Sequence, residues 1–141
     1  LLALVLDVGG LEGMRGGAAT AVAIHMARTG RGADEIRQAI VQRFQYDLTS
    51  SVDEIRPTYR YNERSQDTVP QALTCALEAS DYEDAIRNAI SIGGDSDTIA
   101  AIAGAVAEAL FGISDGIAAE AWRFLPAEMR VVLQDLYAIA K

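Results

Sequence analysis

The sequence predicts an all-α protein, an orthogonal helical bundle rather than a coiled coil. Three observations carry this. Apolar residues recur at helical spacing along most of the chain. The breaks between periodic stretches are short and rich in Gly, Pro or Asp. No heptad persists, so no long supercoil is expected. Half of the 141 residues are hydrophobic, which suffices for one domain, 1–141, with a real core. Much of that half is alanine, as in closely packed helices.

Residues 1–6 are apolar and fit either a short buried strand or the end of a helix. Residues 7–13 are glycine-rich and predict a loop. From Gly13 to Arg28 the pattern is helical, with Ala19, Val22, Ala23 and Met26 on one face. Gly30 suits the left-handed stop. Ala33 to Tyr46 is a second helix, with Ile36, Ala39, Ile40 and Phe44 as its stripe and Asp34 and Glu35 favoured by the dipole in its first turn. Ser51 and Glu54 form a capping box for a single turn that Pro57 ends. Residues 57–67 are polar and irregular, a loop of the length that often carries function. Further helices are predicted from about Val69 to Glu78 with Pro70 in the first turn, and from Tyr82 to Ile92. Another opens at Asp95–Thr98 and runs to Phe111. It is apolar nearly all round, so it reads as the central buried helix. Gly112 ends it, and two last helices cover Ala118–Phe124 and Ala127–Ala140.

The net charge of -8 argues against non-specific nucleic-acid binding and repels anionic membranes. It leaves room for an anionic ligand in a local pocket. The leading apolar run is too short for a membrane span and lacks a signal peptide's basic start. The single cysteine, Cys75, excludes an internal disulfide and fits a reducing compartment, so a cytoplasmic location is expected. Its neighbours Ala72, Leu73, Ala76 and Ala79 predict a packed core thiol. Trp122 and Phe124 fit core packing, and His25 falls off the apolar stripe as a surface residue. The glycines between Gly9 and Gly17 match neither dinucleotide nor Walker spacing.

The run Gly93-Gly94-Asp95-Ser96-Asp97-Thr98 concentrates chemistry. Two glycines allow a sharp turn. Two carboxylates and a hydroxyl follow, and these are the oxygen donors that hard divalent cations take. Helix capping by Asp or Ser satisfies the spacing equally well. Capping, however, needs only one of these residues.

The same run, followed by Ile99-Ala100-Ala101-Ile102-Ala103-Gly104-Ala105, resembles the C-terminal signature of the ADP-ribosylglycohydrolase family. Gly17–Ile24 looks like that family's glycine/alanine-rich helix. Asp53–Tyr59, Asp67–Leu73 and Asp84–Ile90 match in order, and the resemblance runs continuously over about residues 13 to 112. It implies the all-α fold of that family, incomplete at the N-terminus, with this chain as the C-terminal part of a larger domain. It further implies a hydrolase that removes ADP-ribose from a modified side chain or a related ADP-ribose compound. Two Mg²⁺ or Mn²⁺ ions are expected, with Asp95, Asp97 and Thr98 as ligands on one side. Gly94 and Ser96 would line the site. Ser65 and Gln66 would face ribose or adenine, although loop polarity alone also accounts for them.

Two departures qualify the expectation. The family's N-terminal acidic motif, with the other metal ligands and the catalytic acid, is not in this chain. Asp7 and Glu12 are acids outside that motif, so the catalytic residue stays unknown. Relatives also carry a histidine before the glycine/alanine helix, where this chain reads Asp7-Val8-Gly9-Gly10-Leu11-Glu12. A catalytically inactive relative that keeps the scaffold for binding is therefore the alternative. Either the missing half or self-association would cover core faces left open.

Overall fold

A computed structural model describes residues 8–139. The apolar run 1–6 and Asp7 lie outside the described residues. Eight helices and no strand occur among those described, so the protein is all-α. In chain order they are α1 (Val8–Arg28), α2 (Ala33–Phe44), α3 (Val52–Ile55), α4 (Ser65–Leu77), α5 (Tyr82–Ser91), α6 (Ser96–Phe111), α7 (Asp115–Phe124) and α8 (Ala127–Ile139).

Three helices begin earlier than expected. The glycine-rich segment before Gly13 is the first part of α1 and not a loop. Once a helix is nucleated each further residue adds a hydrogen bond, so a glycine penalty of about 1 kcal/mol slows but does not stop it. The Glu12–Arg15 pair at 3.2 Å, one turn apart, supports this end. Likewise α4 starts at Ser65, which shortens the expected 57–67 loop and puts Pro70 inside the helix. The N–H groups of Asp67 and Thr68 both close on the Arg64 carbonyl at 3.0 Å, which nucleates that turn. Further on, α7 begins at Asp115 because Ser114 accepts from the Ile117 N–H and caps it.

The centre of the bundle also differs from expectation. The most deeply set helix is α4, which packs on α1, α2, α3, α5 and α6. From Thr68 to Leu77 it buries every residue except Gln71. Helix α6 packs on α1, α4 and α5 through Ile99, Ala103, Val106 and Ala107. Its opposite stripe, Ala101, Ala105 and Glu108, is exposed. Alanine fits a buried or an exposed face alike, which is why composition alone made α6 look central.

The core joins these helices through Ile36, Ile40, Leu73, Ile99 and Val106. The expected roles of His25 (exposed) and Cys75 (fully buried) hold. Phe124 does not pack in the core: it is 85% exposed, and α7 and α8 bury no residue at all.

The connection that matters for the site runs from α3 to α4. The capping box at Ser51 forms as expected, with Glu54 Oε2 accepting from the Ser51 N–H at 2.8 Å. Glu78 at the end of α4 also accepts from the Val52 N–H at 2.9 Å. Arg37 donates to the Leu48 carbonyl and lies 3.9 Å from Glu78. The short α3 is thus tied to the end of α4, and the segment before it to α2.

Candidate metal centre

Gly93 and Gly94 turn the chain between α5 and α6 with φ of 74° and 71°. Residues with a Cβ rarely adopt this left-handed region. At Gly93 the space beside the backbone is open. At Gly94 a Cβ would stand 3.0 Å from Tyr59 Cδ1 and closer still to Cε1. The second glycine is therefore required twice, by its backbone and by the ring lying on it.

Asp95 occupies the N-cap position of α6, yet its side chain makes no capping bond. Other acidic or hydroxyl N-caps in the chain do cap. Ser51 accepts from the Glu54 N–H, Asp81 from Asp84 at 2.8 Å, and Ser114 from Ile117 at 3.4 Å. The difference is backbone conformation. Asp81 is extended at φ -158°, ψ -178°, whereas Asp95 sits at φ -81°, ψ 67°. Capping, which the spacing alone would satisfy, is not what the Asp95 carboxylate does.

That carboxylate instead lies within hydrogen-bond reach of Asp97. The contact with Asp95, and then the Thr98 N–H donating at 3.0 Å, hold the Asp97 carboxyl below the usual carboxylate range. Two acidic groups so close favour sharing a proton or a cation over standing charged side by side. Asp97 and Thr98 are exposed, and Asp95 and Ser96 are half-buried. The donor set, two carboxylates and a hydroxyl, fits a hard divalent cation and offers it only part of a coordination shell. Among the described residues no group of three or more His, Cys, Asp or Glu converges into a cage.

Ser65 and Gln66 open α4 rather than lying in a loop. The Gln66 amide oxygen, in the orientation that satisfies both donors, accepts from Arg64 Nε at 3.0 Å and Nη2 at 2.7 Å. Gln66 also lines a cavity of about 300 Å³ with Arg15, Tyr46, Asp67 and Gln71. Arg15 lies 4.8 Å over the Tyr46 ring there and donates to the Phe44 carbonyl.

Sequence reasoning placed Tyr59 and Tyr61 in a polar loop without a task. In the structure Tyr59 reaches the acidic turn, and Tyr61 stands within range of its charges. Tyr59 covers Gly94. Tyr61 donates to Glu63 at 3.0 Å, which pushes its phenol pKa up, and the charges of Asp95 and Asp97 add to that rise. The only local signal was two aromatic residues in an otherwise polar run.

No curated protein and no solved structure gives a significant match to the chain. The family model described as ADP-ribosylglycohydrolase matches residues 5–140. With that match over an all-helical fold, the chain belongs to the ADP-ribosylglycohydrolase family, whose members act on ADP-ribosylated substrates.

Proposed function

We propose that the protein is a metal-dependent hydrolase that releases ADP-ribose from a modified side chain or a related ADP-ribose compound, and that this chain supplies one half of a dinuclear site. The observation that carries the reading is the uncapped Asp95 carboxylate beside Asp97 at the head of α6. Asp95, Asp97 and the Thr98 hydroxyl would hold Mg²⁺ or Mn²⁺. When bound, such an ion supplies Lewis-acid stabilisation of charge and orients hydroxyl groups and water.

The chain's own residues do the rest of the binding work. Gly94 and Ser96 are the residues proposed to line the site beside the carboxylates. The Thr98 N–H, donating at 3.0 Å, orients the Asp97 carboxylate. Ser65 and Gln66, at the start of α4, are the side chains proposed to meet the nucleoside part of the ligand. The remaining ligands and the catalytic acid would come from an N-terminal half packed on this one, or from a self-associated copy. No described helix is long and apolar enough to cross a membrane, and a cytoplasmic location is part of the proposal.

Titrating Mn²⁺ into the chain completed with its N-terminal half, as wild type, Asp97→Ala and Asp95→Ala, tests this, read by calorimetry or by the Mn²⁺ spin signal. Wild type should bind, and each variant should bind at least about tenfold more weakly. Equal and negligible binding in all three sinks the metal site. Metal and ADP-ribose binding without release of ADP-ribose from a modified protein would favour the inactive, binding-only relative.

A further inference from the structure

The glycines that let the chain turn at 93–94 leave the aspartates' aim unset. The run Gly93–Thr98 contains no apolar side chain to anchor it. The nearest buried residues are Ile92 before it and Ile99 after it. Asp95, which could have fixed the head of α6 by capping, does not cap. Metal ligands need positions held to within about half an ångström, so something outside the run must hold it.

We propose that Tyr59 is the positioning residue that aims Asp95 and Asp97, by clamping Gly94 from the side. The inference rests on the reading of those two residues as metal ligands. The Tyr59 ring lies directly on Gly94. Its hydroxyl is 3.3 Å from Thr68 Oγ1, and Thr68 is buried in α4. Its N–H donates to the carbonyl of the buried Ile55 at 2.9 Å. The ring is thus held by α3 at its backbone and by α4 at its tip. One turn back, Arg56 Nε donates to Ser91 Oγ at 3.0 Å, and Ser91 in turn bonds the Asn88 carbonyl at 2.8 Å. The segment after α3 therefore grips both ends of the turn, at Ser91 and at Gly94.

The glycine at position 94 is what makes the clamp possible, since any Cβ would drive the ring away. The geometry also separates two contributions of Tyr59. The ring supplies the contact with Gly94, and the hydroxyl supplies only the tie to Thr68. Tyr59→Phe keeps the first, while Tyr59→Ala loses both.

Amide hydrogen exchange in the metal-free chain reads the clamp directly. The reporters are the N–H groups of Gly93, Thr98 and Ile99, whose acceptors are the Ile90 carbonyl, Asp97 Oδ1 and the Asp95 carbonyl. In Tyr59→Ala these should exchange at least tenfold faster while α1 and α5 amides keep their protection. In Tyr59→Phe they should stay within threefold of wild type. Mn²⁺ affinity should follow the same order, at least tenfold weaker in Tyr59→Ala and within threefold in Tyr59→Phe. Unchanged reporters in Tyr59→Ala, or faster exchange with wild-type Mn²⁺ affinity, would overturn the proposal. If Tyr59→Ala exchanges everywhere, Tyr59→Leu decides it by the same reporters, since Leu keeps apolar bulk without a flat ring. If wild type completed with its N-terminal half binds no Mn²⁺, the metal reading fails, and the exchange data still judge the clamp on their own.

Discussion

Cys75 and Asp95 are two residues whose surroundings set their chemistry in opposite ways. Cys75 lies in α4 with no exposure. Burial first, and the charge of Glu78 second, push its thiol up to about 12. An unfolded thiol titrates near 8.5. Above that pH the unfolded chain has lost a proton that the native state keeps. Stability is therefore full below about pH 8.5 and falls as pH rises toward 12, by roughly 1.4 kcal/mol per unit. Urea unfolding at pH 8 and pH 10 should show wild type losing on the order of 1–2 kcal/mol more than Cys75→Ala across that step. An equal loss in both would show that the thiol ionises in the native state. The core setting of Cys75 was legible from its alanine and leucine neighbours. The freedom of Asp95 was not. Asp81 and Asp95 look alike as N-caps in sequence, and only φ and ψ distinguish them. At Asp95 those angles follow the two left-handed glycines and a ring that arrives from Tyr59.

Among the elements, α1 shows why glycine counts mislead. Gly16 and Gly17 are adjacent and both helical. A Cβ at Gly16 would meet Val69 Cγ2 at 2.9 Å, with Ser65 Cβ and the Tyr46 hydroxyl at 3.7 Å, whereas at Gly17 it would meet nothing. Gly16→Ala should overpack the α1–α4 contact and cost about 1–3 kcal/mol. Gly17→Ala should instead stabilise by about 0.5–1 kcal/mol, because alanine loses less freedom in a helix. Denaturant midpoints of the two variants check this, and a shared sign would mean that α1 does not lie against α4 in this register. The sequence showed a glycine/alanine-rich helix. It did not show which glycine makes the approach, because that depends on Val69, far along the chain. The starts of α1 and α4 were misjudged for a related reason. Glycine and proline weaken a helix locally, but the Glu12–Arg15 pair and the turn closing on Arg64 carry each helix through.

Across the whole molecule, burial is concentrated in α1 to α6 and absent from α7 and α8. Two side-chain hydrogen bonds tie α8 back to α7 and the turn between them. The Arg130 guanidinium donates to the Leu125 carbonyl at 2.9 Å and to the Arg123 carbonyl at 3.1 Å. Near the end of α8, Leu136 and Tyr137 border a cavity of about 740 Å³ shared with Ile24, Arg28, Ala105 and Glu108. Tolerance to truncation follows burial and hydrogen bonding rather than position in the chain. A chain ending at Ile113 should therefore keep a cooperative thermal transition. Its Tm should fall by no more than about 4 °C, the shift expected for roughly 1 kcal/mol in a domain of this size. The same cut removes Phe124, Met129, Val132, Leu136 and Tyr137, each more than half exposed. Apolar surface of that kind promotes association, so sedimentation should show the shortened chain less self-associated than the full one. Loss of the cooperative transition would mean that α7 and α8 fold with the core. The exposed face of α8 would then be a consequence of how the bundle ends and not a separable hairpin.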